Sequence, residues 1–182
     1  MFKILTLNFI LFLSFATIKN SSFYDLTVKD LGNKKVEMSK FKGKLLLVVN
    51  TASSCGYTPQ LSDLEKLYQK YKSQGLVVLG FPSNDFKQEG LSGNEIKKFC
   101  KLNYGVSFPL FKKTNVTGDK KSPVYSKLLK ELDDQRVGWN FEKILVSSEG
   151  RALKKFKSAE PPLGGDLEKL IVKNLKTEDK KK

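Results

Sequence analysis

Two nearly uninterrupted apolar stretches indicate the centre of a β-sheet. They are "KLLLVVN", residues 44–50, and "LVVLGF", residues 76–81. Apolar runs of this length are typical of strands that are covered on both faces. Between them, residues 61–71 carry leucine and tyrosine at helical spacing, and Pro59 stands where a first helical turn accepts it. The order strand, helix, strand predicts two parallel strands joined by a crossover.

The rest of the pattern predicts a hairpin before this unit and a second half after it. Residues 23–30, a Gly-Asn turn and another short strand predict an N-terminal β-hairpin. Ser92 and Glu95 form the capping-box pattern of the helix after the second central strand. The later predicted elements are a helix over residues 93–103, a helix over residues 122–132, two strands within residues 141–156 and a helix over residues 164–175. The patterns predict a single α/β domain with a helix-covered sheet.

The two ends of the chain differ from the rest. Residues 1–16 begin with a charge at Lys3 and continue as an apolar stretch, which is shorter than the roughly 20 residues that span a bilayer. This layout is typical of a signal peptide, with an uncleaved membrane anchor as the alternative. We therefore expect an exported protein, either periplasmic or secreted. Residues 176–182, "KTEDKKK", are predicted to be a basic, frayed C-terminal tail.

The composition removes several classes of chemistry. The 182 residues include no histidine, which excludes Cys-His and Ser-His-Asp catalysis and histidine-bearing metal sites. Two cysteines cannot form a four-thiolate site, and we expect neither a metal nor a cofactor. The net charge of +14 comes almost entirely from lysine, since arginine occurs only at Arg136 and Arg151. We therefore expect no specific nucleic-acid binding, and at most weak contact with anionic membrane surfaces.

Cys55 lies in "NTASSCGYTPQ", between the first central strand and the helix that follows it. Sites in open α/β sheets form at the carboxyl ends of strands. A helix N-terminus presents unpaired N–H groups and a partial positive charge, and that field favours a thiolate over a thiol. The small neighbours of Cys55 would keep its sulfur accessible. Cys55 is therefore a candidate nucleophile, although a small core residue is the alternative.

Cys100 is the second cysteine and lies on the predicted helix over residues 93–103. The chain has no C-x-x-C pair, which disfavours a thioredoxin-type dithiol exchanger. In an exported protein, Cys55 and Cys100 could form one static disulfide. They could instead be a peroxidatic and a resolving cysteine, in which the second thiol condenses with a sulfenic acid on the first. The residues alone leave both interpretations open.

Several segments together resemble the glutathione peroxidase family in its cysteine-containing form. They include "VVNTASSCGYTPQ", "LGFPSNDF", "NYGVSFPLF" and "GWNFEKILVSSEGR", in the order and spacing of the family. The resemblance covers roughly residues 23–175. It implies a thioredoxin-like fold, with a central mixed β-sheet, helices on both faces and an N-terminal β-hairpin. It also implies an antioxidant peroxidase that acts on hydrogen peroxide and on organic or lipid hydroperoxides.

The active site of that family consists of a cysteine, a glutamine, a tryptophan and an asparagine. The resemblance implies that Cys55, Trp139 and Asn140 are catalytic residues. Asp85 stands where the family's loop motif carries a glutamine. Asp85 then either turns away, is protonated in the site or accepts a proton, and Gln88 is a second candidate for the missing amide. Both are expected to line the site.

The same resemblance implies how the enzyme is recycled. Cys100 matches the resolving cysteine of the thioredoxin-dependent members, so a Cys55–Cys100 disulfide is expected, reduced by a thioredoxin-like protein or by glutathione. The segment from Asp133 to Gly138 is as short as in the family's monomeric members, and we expect a monomer. Two alternatives are a peroxide sensor that relays oxidation to a partner and a secreted structural module with a static disulfide.

Overall fold

A four-stranded mixed β-sheet forms the centre of the structure. The computed structural model describes residues 22–134 and 136–179, the last four as backbone alone. The strands are β1 (Thr27–Lys29), β2 (Lys35–Glu37), β3 (Leu45–Thr51), β4 (Leu76–Pro82), β5 (Lys143–Val146) and β6 (Ala152–Phe156). The helices are α1 (Gln60–Tyr71), α2 (Gly93–Tyr104), α3 (Pro123–Glu131) and α4 (Asp166–Asp179). Strands β1 and β2 pair as a separate hairpin, and the central sheet has the order β4-β3-β5-β6.

The pairing within the central sheet confirms the predicted crossover. Strands β3 and β4 are parallel and aligned from Leu45 opposite Leu76 to Thr51 opposite Pro82. Strand β5 is antiparallel to β3, and β6 is antiparallel to β5. Because β3 and β4 run the same way, their carboxyl ends and the loops that follow lie at the same edge of the sheet.

The side chains of β3 alternate between two hydrophobic cores. Leu45, Leu47 and Val49 pack with buried residues of α1, α2 and α4 on one face. Leu46 and Val48 pack with α3 and with the N-terminal segment on the other. All seven residues of β3 are buried, which explains why its sequence is apolar on both alternating sets of positions.

Helix α2 confirms the predicted capping box. The Ser92 N–H and hydroxyl both donate to Glu95 Oε2, at 3.0 and 2.8 Å. The helix ends at Gly105, whose φ of 68° is left-handed and therefore suits glycine. Of its twelve residues, α2 buries Ile96 and Cys100, and the partly buried Phe99 and Tyr104 also pack against the same core.

The structure differs from the predicted elements mainly at their ends. The hairpin strands have three residues each, since residues 23–25 and 38–41 form short 3₁₀ helices. Helix α4 continues to Asp179, into the segment predicted to be a frayed tail, and its start is stabilised by the Gly164 N–H donating to Glu168 Oε2 at 2.7 Å. The predicted signal peptide or anchor, residues 1–16, lies outside the described residues. Within the described part, no helix has the length and apolar character to cross a membrane.

Candidate active site

Cys55 lies in a tight turn that leaves the carboxyl end of β3. Its N–H donates to Thr58 Oγ1 at 3.0 Å, and the Thr58 hydroxyl donates to the Ala52 carbonyl at 2.9 Å. The Thr58 N–H also donates to the Cys55 carbonyl at 2.9 Å. One threonine side chain therefore closes the turn from both ends. Neither the periodicity nor the family resemblance identifies Thr58 in advance, since its role depends on a turn of five residues before α1.

The sulfur of Cys55 receives a backbone hydrogen bond within the same turn. The Tyr57 N–H donates to Cys55 Sγ at 3.5 Å, a bond that stabilises negative charge on sulfur. Helix α1 begins five residues after Cys55, at Gln60. The residues in between form successive turns that are closed by backbone hydrogen bonds between residues three positions apart. The predicted amide environment of the sulfur is therefore present, but a turn N–H makes the contact rather than the first turn of α1. Cys55 is buried, with 7% of the residue exposed, so its small neighbours do not leave it openly accessible as the sequence led us to expect.

Asn140 comes to the same edge of the sheet from the loop before β5. The Phe141 N–H donates to the Asn50 carbonyl at 2.7 Å, and Asn50 Nδ2 donates to the Trp139 carbonyl at 3.0 Å. These bonds fix the loop to the end of β3. Asn140 is fully buried, and its Oδ1 has no hydrogen-bond partner among the described residues. That oxygen is free to accept a hydrogen bond from a bound reactant or water.

Trp139 lies on the open side of the same loop. Its side chain is 42% exposed, and its ring lies 5.1 Å from the ring of Phe86, in the loop after β4. The indole is therefore not a core residue. Its described ring contact is with Phe86, and it directly precedes Asn140 in the chain.

Gln88 connects the other two parts of the site. Its side-chain Oε1 accepts a hydrogen bond from Asn140 Nδ2 at 2.8 Å, and its backbone carbonyl accepts one from the Ser54 N–H at 3.0 Å. Gln88 thus contacts both the asparagine and the turn that carries Cys55. Since Oε1 is engaged, the side-chain NH₂ is the part of the Gln88 amide that can donate a hydrogen bond.

Asp85 faces away from this site, which corrects the expectation that it lines the site. Its carboxylate accepts hydrogen bonds from Asn115 Nδ2 at 2.6 Å and from the N–H groups of Val116 and Thr117 at 2.7 and 3.0 Å. Lys87, with a φ of 60°, reverses the chain between Asp85 and Gln88 and directs the two side chains differently. Asp85 thus turns away, the first of its three expected arrangements, and the Gln88 amide is the one that contacts Asn140.

Cys100 is buried on the face of α2 that packs against the core. Both cysteines are free thiols and belong to the same hydrophobic cluster. Burial raises the pKa of the Cys100 thiol to about 12, and the negative charge of Glu89 adds to the rise. Cys100 is therefore protonated at neutral pH.

A buried lysine supports the beginning of α1. Lys143, in β5, donates from Nζ to Gln60 Oε1 at 2.6 Å and to the carbonyls of Ser158 and Glu160 at 3.0 and 2.7 Å. Burial lowers the pKa of Lys143 to about 8. All three of its donors are used, so the ammonium acts as a staple between α1 and the segment after β6. The sequence alone does not identify this role, because a lysine in a strand usually faces solvent.

The arrangement agrees with what comparison with other proteins shows. The family model described as glutathione peroxidase matches residues 23–129. The chain belongs to the glutathione peroxidase family. A glutathione peroxidase-like peroxiredoxin of Schizosaccharomyces pombe is 48% identical over 157 residues, which cover 83% of this chain and 99% of the relative. As a member of the family, the protein is a peroxidase and hence an oxidoreductase.

Solved structures lead to the same conclusion for the fold. The crystal structure of Trgpx in apo form matches with a TM-score of 0.70 and 38% identity, covering 86% of this chain and 97% of that one. The solution structure of a putative thioredoxin from Neisseria meningitidis matches with a TM-score of 0.59 at 18% identity, covering 86% of this chain and 92% of that one. The predicted thioredoxin-like α/β fold is confirmed.

Proposed function

We propose that this protein is a thiol peroxidase that reduces hydrogen peroxide and organic or lipid hydroperoxides through Cys55. The observation that carries the proposal is the meeting of three groups at one edge of the sheet: the Cys55 turn, the Gln88 amide and the Asn140 amide. Amide donors stabilise charge on sulfur and on peroxide oxygens without changing their own protonation, so they can work without histidine.

The proposed cycle has three steps. First, the Cys55 thiolate attacks one peroxide oxygen, the O–O bond breaks and the sulfur is oxidised to a sulfenic acid. The leaving hydroxide or alkoxide takes up a proton, equal to the one that Cys55 lost on ionisation, and departs as water or an alcohol. Second, the Cys100 thiol condenses with this sulfenic acid, which forms a Cys55–Cys100 disulfide and releases water. Third, an external thiol reductant returns both cysteines to thiols.

The reductant and the cellular setting are further parts of the proposal. The name of the Schizosaccharomyces pombe relative describes it as a peroxiredoxin, which supports a thioredoxin-like reductant over glutathione. The short connection between α3 and Trp139 supports a monomer. The apolar N-terminal segment supports export, and the lysine-rich composition supports weak contact with an anionic membrane surface.

A coupled assay and intact-mass analysis test the proposal. We expect the protein to consume peroxide with thioredoxin or glutathione, and we expect the Cys55→Ser variant to lose this activity. One equivalent of peroxide should convert the reduced protein to a species lighter by two hydrogens. A Cys55→Ser variant with full activity would contradict the proposal. A disulfide that ignores both peroxide and mild reductant would favour the structural-module alternative.

A redox relay is a second candidate, and the burial of Cys100 favours it. A protonated and buried resolving thiol attacks slowly, so the sulfenic acid on Cys55 has time to meet a thiol of another protein. This candidate predicts a mixed disulfide with a partner when Cys100→Ser is treated with peroxide. The absence of any adduct in cell extract, together with fast turnover of the wild type, would exclude it.

A further inference from the structure

Lys155 is a largely buried lysine that the three-step cycle does not use. It lies in β6, opposite Ile144 of β5, and its side chain is 10% exposed. Taking an ammonium out of water is costly unless oxygen atoms of the protein replace the water around it. The oxygen atoms around Lys155 Nζ therefore indicate which parts of the chain the ammonium connects.

Three oxygen atoms surround the Lys155 ammonium. Nζ lies 2.6 Å from Asp134 Oδ2 and donates to the Arg136 carbonyl at 2.8 Å. Nζ also lies 3.2 Å from Glu142 Oε2, on a side chain that is 4% exposed. That oxygen accepts no hydrogen bond among the described residues, so the ion pair with Lys155 compensates for its burial.

Two of these partners lie at the ends of the loop that carries Trp139 and Asn140. Arg136 is three residues before Trp139, and Glu142 is two residues after Asn140. One ammonium in β6 therefore connects to both ends of the loop of residues 136–142. The two ends are thereby held close to each other.

The Glu142 carboxylate has a second contact with the same loop. Gly138 has no side chain, and a Cβ there would lie 3.0 Å from Glu142 Oε1. The carboxylate that Lys155 holds therefore packs against the backbone of the loop. On the other side of the loop, the Asn50 carbonyl accepts a hydrogen bond from the Phe141 N–H. The loop is thus attached to β3 on one side and to β6 on the other.

We infer that Lys155 is a positioning residue for peroxide reduction, because it holds the 136–142 loop that carries Asn140 and Trp139. The inference rests on the proposed function. Lys155 acts on Asn140 through the loop rather than on the peroxide itself. Asn140 Nδ2 donates to Gln88 Oε1 at 2.8 Å, so a small displacement of the loop breaks this contact and misplaces the amide. A misplacement of about 1 Å can lower the rate of a reaction by about 10²-fold.

Trp139 is the only tryptophan of the chain, so its fluorescence reports on the loop. Wild type is compared with Lys155→Met, which keeps the apolar stem and removes the charge. Rapid-quench intact-mass analysis gives the rate at which one equivalent of hydrogen peroxide oxidises Cys55, and acrylamide quenching gives the exposure of the indole. We expect oxidation to slow by about tenfold or more, and quenching to increase because the indole moves away from Phe86.

Two matched variants separate positioning from the general effects of losing a lysine. Lys155→Arg keeps a cation that can reach both carboxylates, so it should restore the oxidation rate and the wild-type quenching. Lys154→Met removes the neighbouring, exposed lysine of β6 and should leave both measurements unchanged. A role in stability alone predicts that urea unfolding changes in Lys155→Met, while neither measurement on the folded protein changes.

A double variant removes the effect of an unpaired buried charge. Lys155→Met leaves the Glu142 carboxylate buried without its counter-charge, which lowers the stability of the fold. Lys155→Met/Glu142→Gln removes both charges and avoids this cost, so it decides the question if the single variant does not fold. We expect slower oxidation and stronger quenching here as well, because the Arg136 carbonyl has lost its donor.

The outcomes distinguish this inference from the function on which it rests. A wild type whose Cys55 is not oxidised by peroxide contradicts the proposed function, and the positioning role of Lys155 with it. With an active wild type, a folded variant that lacks the Lys155 charge and keeps the wild-type oxidation rate contradicts the role of Lys155 alone. A slower rate with unchanged quenching also contradicts it, since the loop has then stayed in place.

Discussion

The two cysteines occupy opposite environments within one hydrophobic cluster. Cys55 lies in a turn of small and polar residues, where the Tyr57 N–H donates to its sulfur. Cys100 lies inside α2, where burial and the Glu89 charge raise the pKa of its thiol to about 12. The helices they adjoin differ as well, since α1 buries four residues and α2 buries two. The two thiols therefore have different surroundings: a backbone N–H contacts the sulfur of Cys55, while burial keeps Cys100 protonated.

Exchanging each cysteine for serine is the strongest test of this contrast. We expect Cys55→Ser to abolish peroxide reduction, because serine has no sulfur that a peroxide can oxidise to a sulfenic acid. Cys100→Ser should still be oxidised by peroxide, but it should stop at the sulfenic acid and lose turnover with a thioredoxin-like reductant. Intact-mass analysis and the coupled assay measure both. Equal losses of the first oxidation step in the two variants would mean that the cysteines are not specialised.

Two positions in one loop sharpen the contrast on the Cys55 side. Gln88→Ala removes an amide beside the Cys55 turn, so the rate of Cys55 oxidation should fall by about 10²-fold. It also leaves the buried Asn140 Nδ2 without its acceptor, which should cost about 1–3 kcal/mol of the free energy of unfolding. Asp85→Ala removes three hydrogen bonds from the 115–117 segment and should cost about 1–3 kcal/mol of the free energy of unfolding. Its oxidation rate should change little. Stopped-flow kinetics and urea unfolding of both variants provide the comparison, which fails if Asp85→Ala is the slower enzyme.

Thr58 tests whether the turn itself prepares Cys55. Thr58→Val keeps the shape but removes the bonds to the Cys55 N–H and to the Ala52 carbonyl. We expect a loss of about 1–3 kcal/mol in the free energy of unfolding, because the buried Cys55 N–H is left without a partner. Oxidation of Cys55 should slow as well, while Thr117→Val, an exchange outside the turn, should leave the oxidation rate unchanged. An unaltered rate in Thr58→Val would show that the turn is held by other contacts.

The smallest expected effect concerns Lys143 and alkaline pH. Burial lowers the pKa of folded Lys143 from 10.5 to about 8, so between these values the unfolded chain binds the proton more fully. The free energy of unfolding should therefore rise with pH across this window through this group, and Lys143→Met should remove that rise. Lys97→Met, at an exposed position of α2, is the control. Urea unfolding at several pH values under reducing conditions measures the slopes, and equal slopes would contradict the assignment.

Much of the fold follows from pattern, because β3 and β4 are buried on both faces and can tolerate few polar residues. The ends of elements do not follow so directly: three-residue strands at 27–29 and 35–37 are too short to have a clear alternation. Within the site, the resemblance identifies Cys55 and Asn140. Whether Asp85 or Gln88 turns towards Asn140 depends on the left-handed backbone of Lys87. A lysine in the sequence does not indicate that conformation. No sequence pattern predicts the burial of Glu89, because three segments that are separate in the sequence come together around it.

The anchoring of α2 has a consequence for the proposed cycle. Ile96 and Cys100 are the two buried residues of α2, with Phe99 and Tyr104 partly buried against the same core, so a movement that brings Cys100 to Cys55 would remove one of the two buried attachments. Helix α2 should then be less stable, and its backbone amides should exchange with solvent faster in the oxidised protein than in the reduced one. A disulfide that holds a helix open is less stable than one formed between relaxed segments, so an incoming dithiol breaks it more readily. In the proposed cycle, the refolding of α2 would therefore favour the reduction of the disulfide and the return of Cys55 to a thiol.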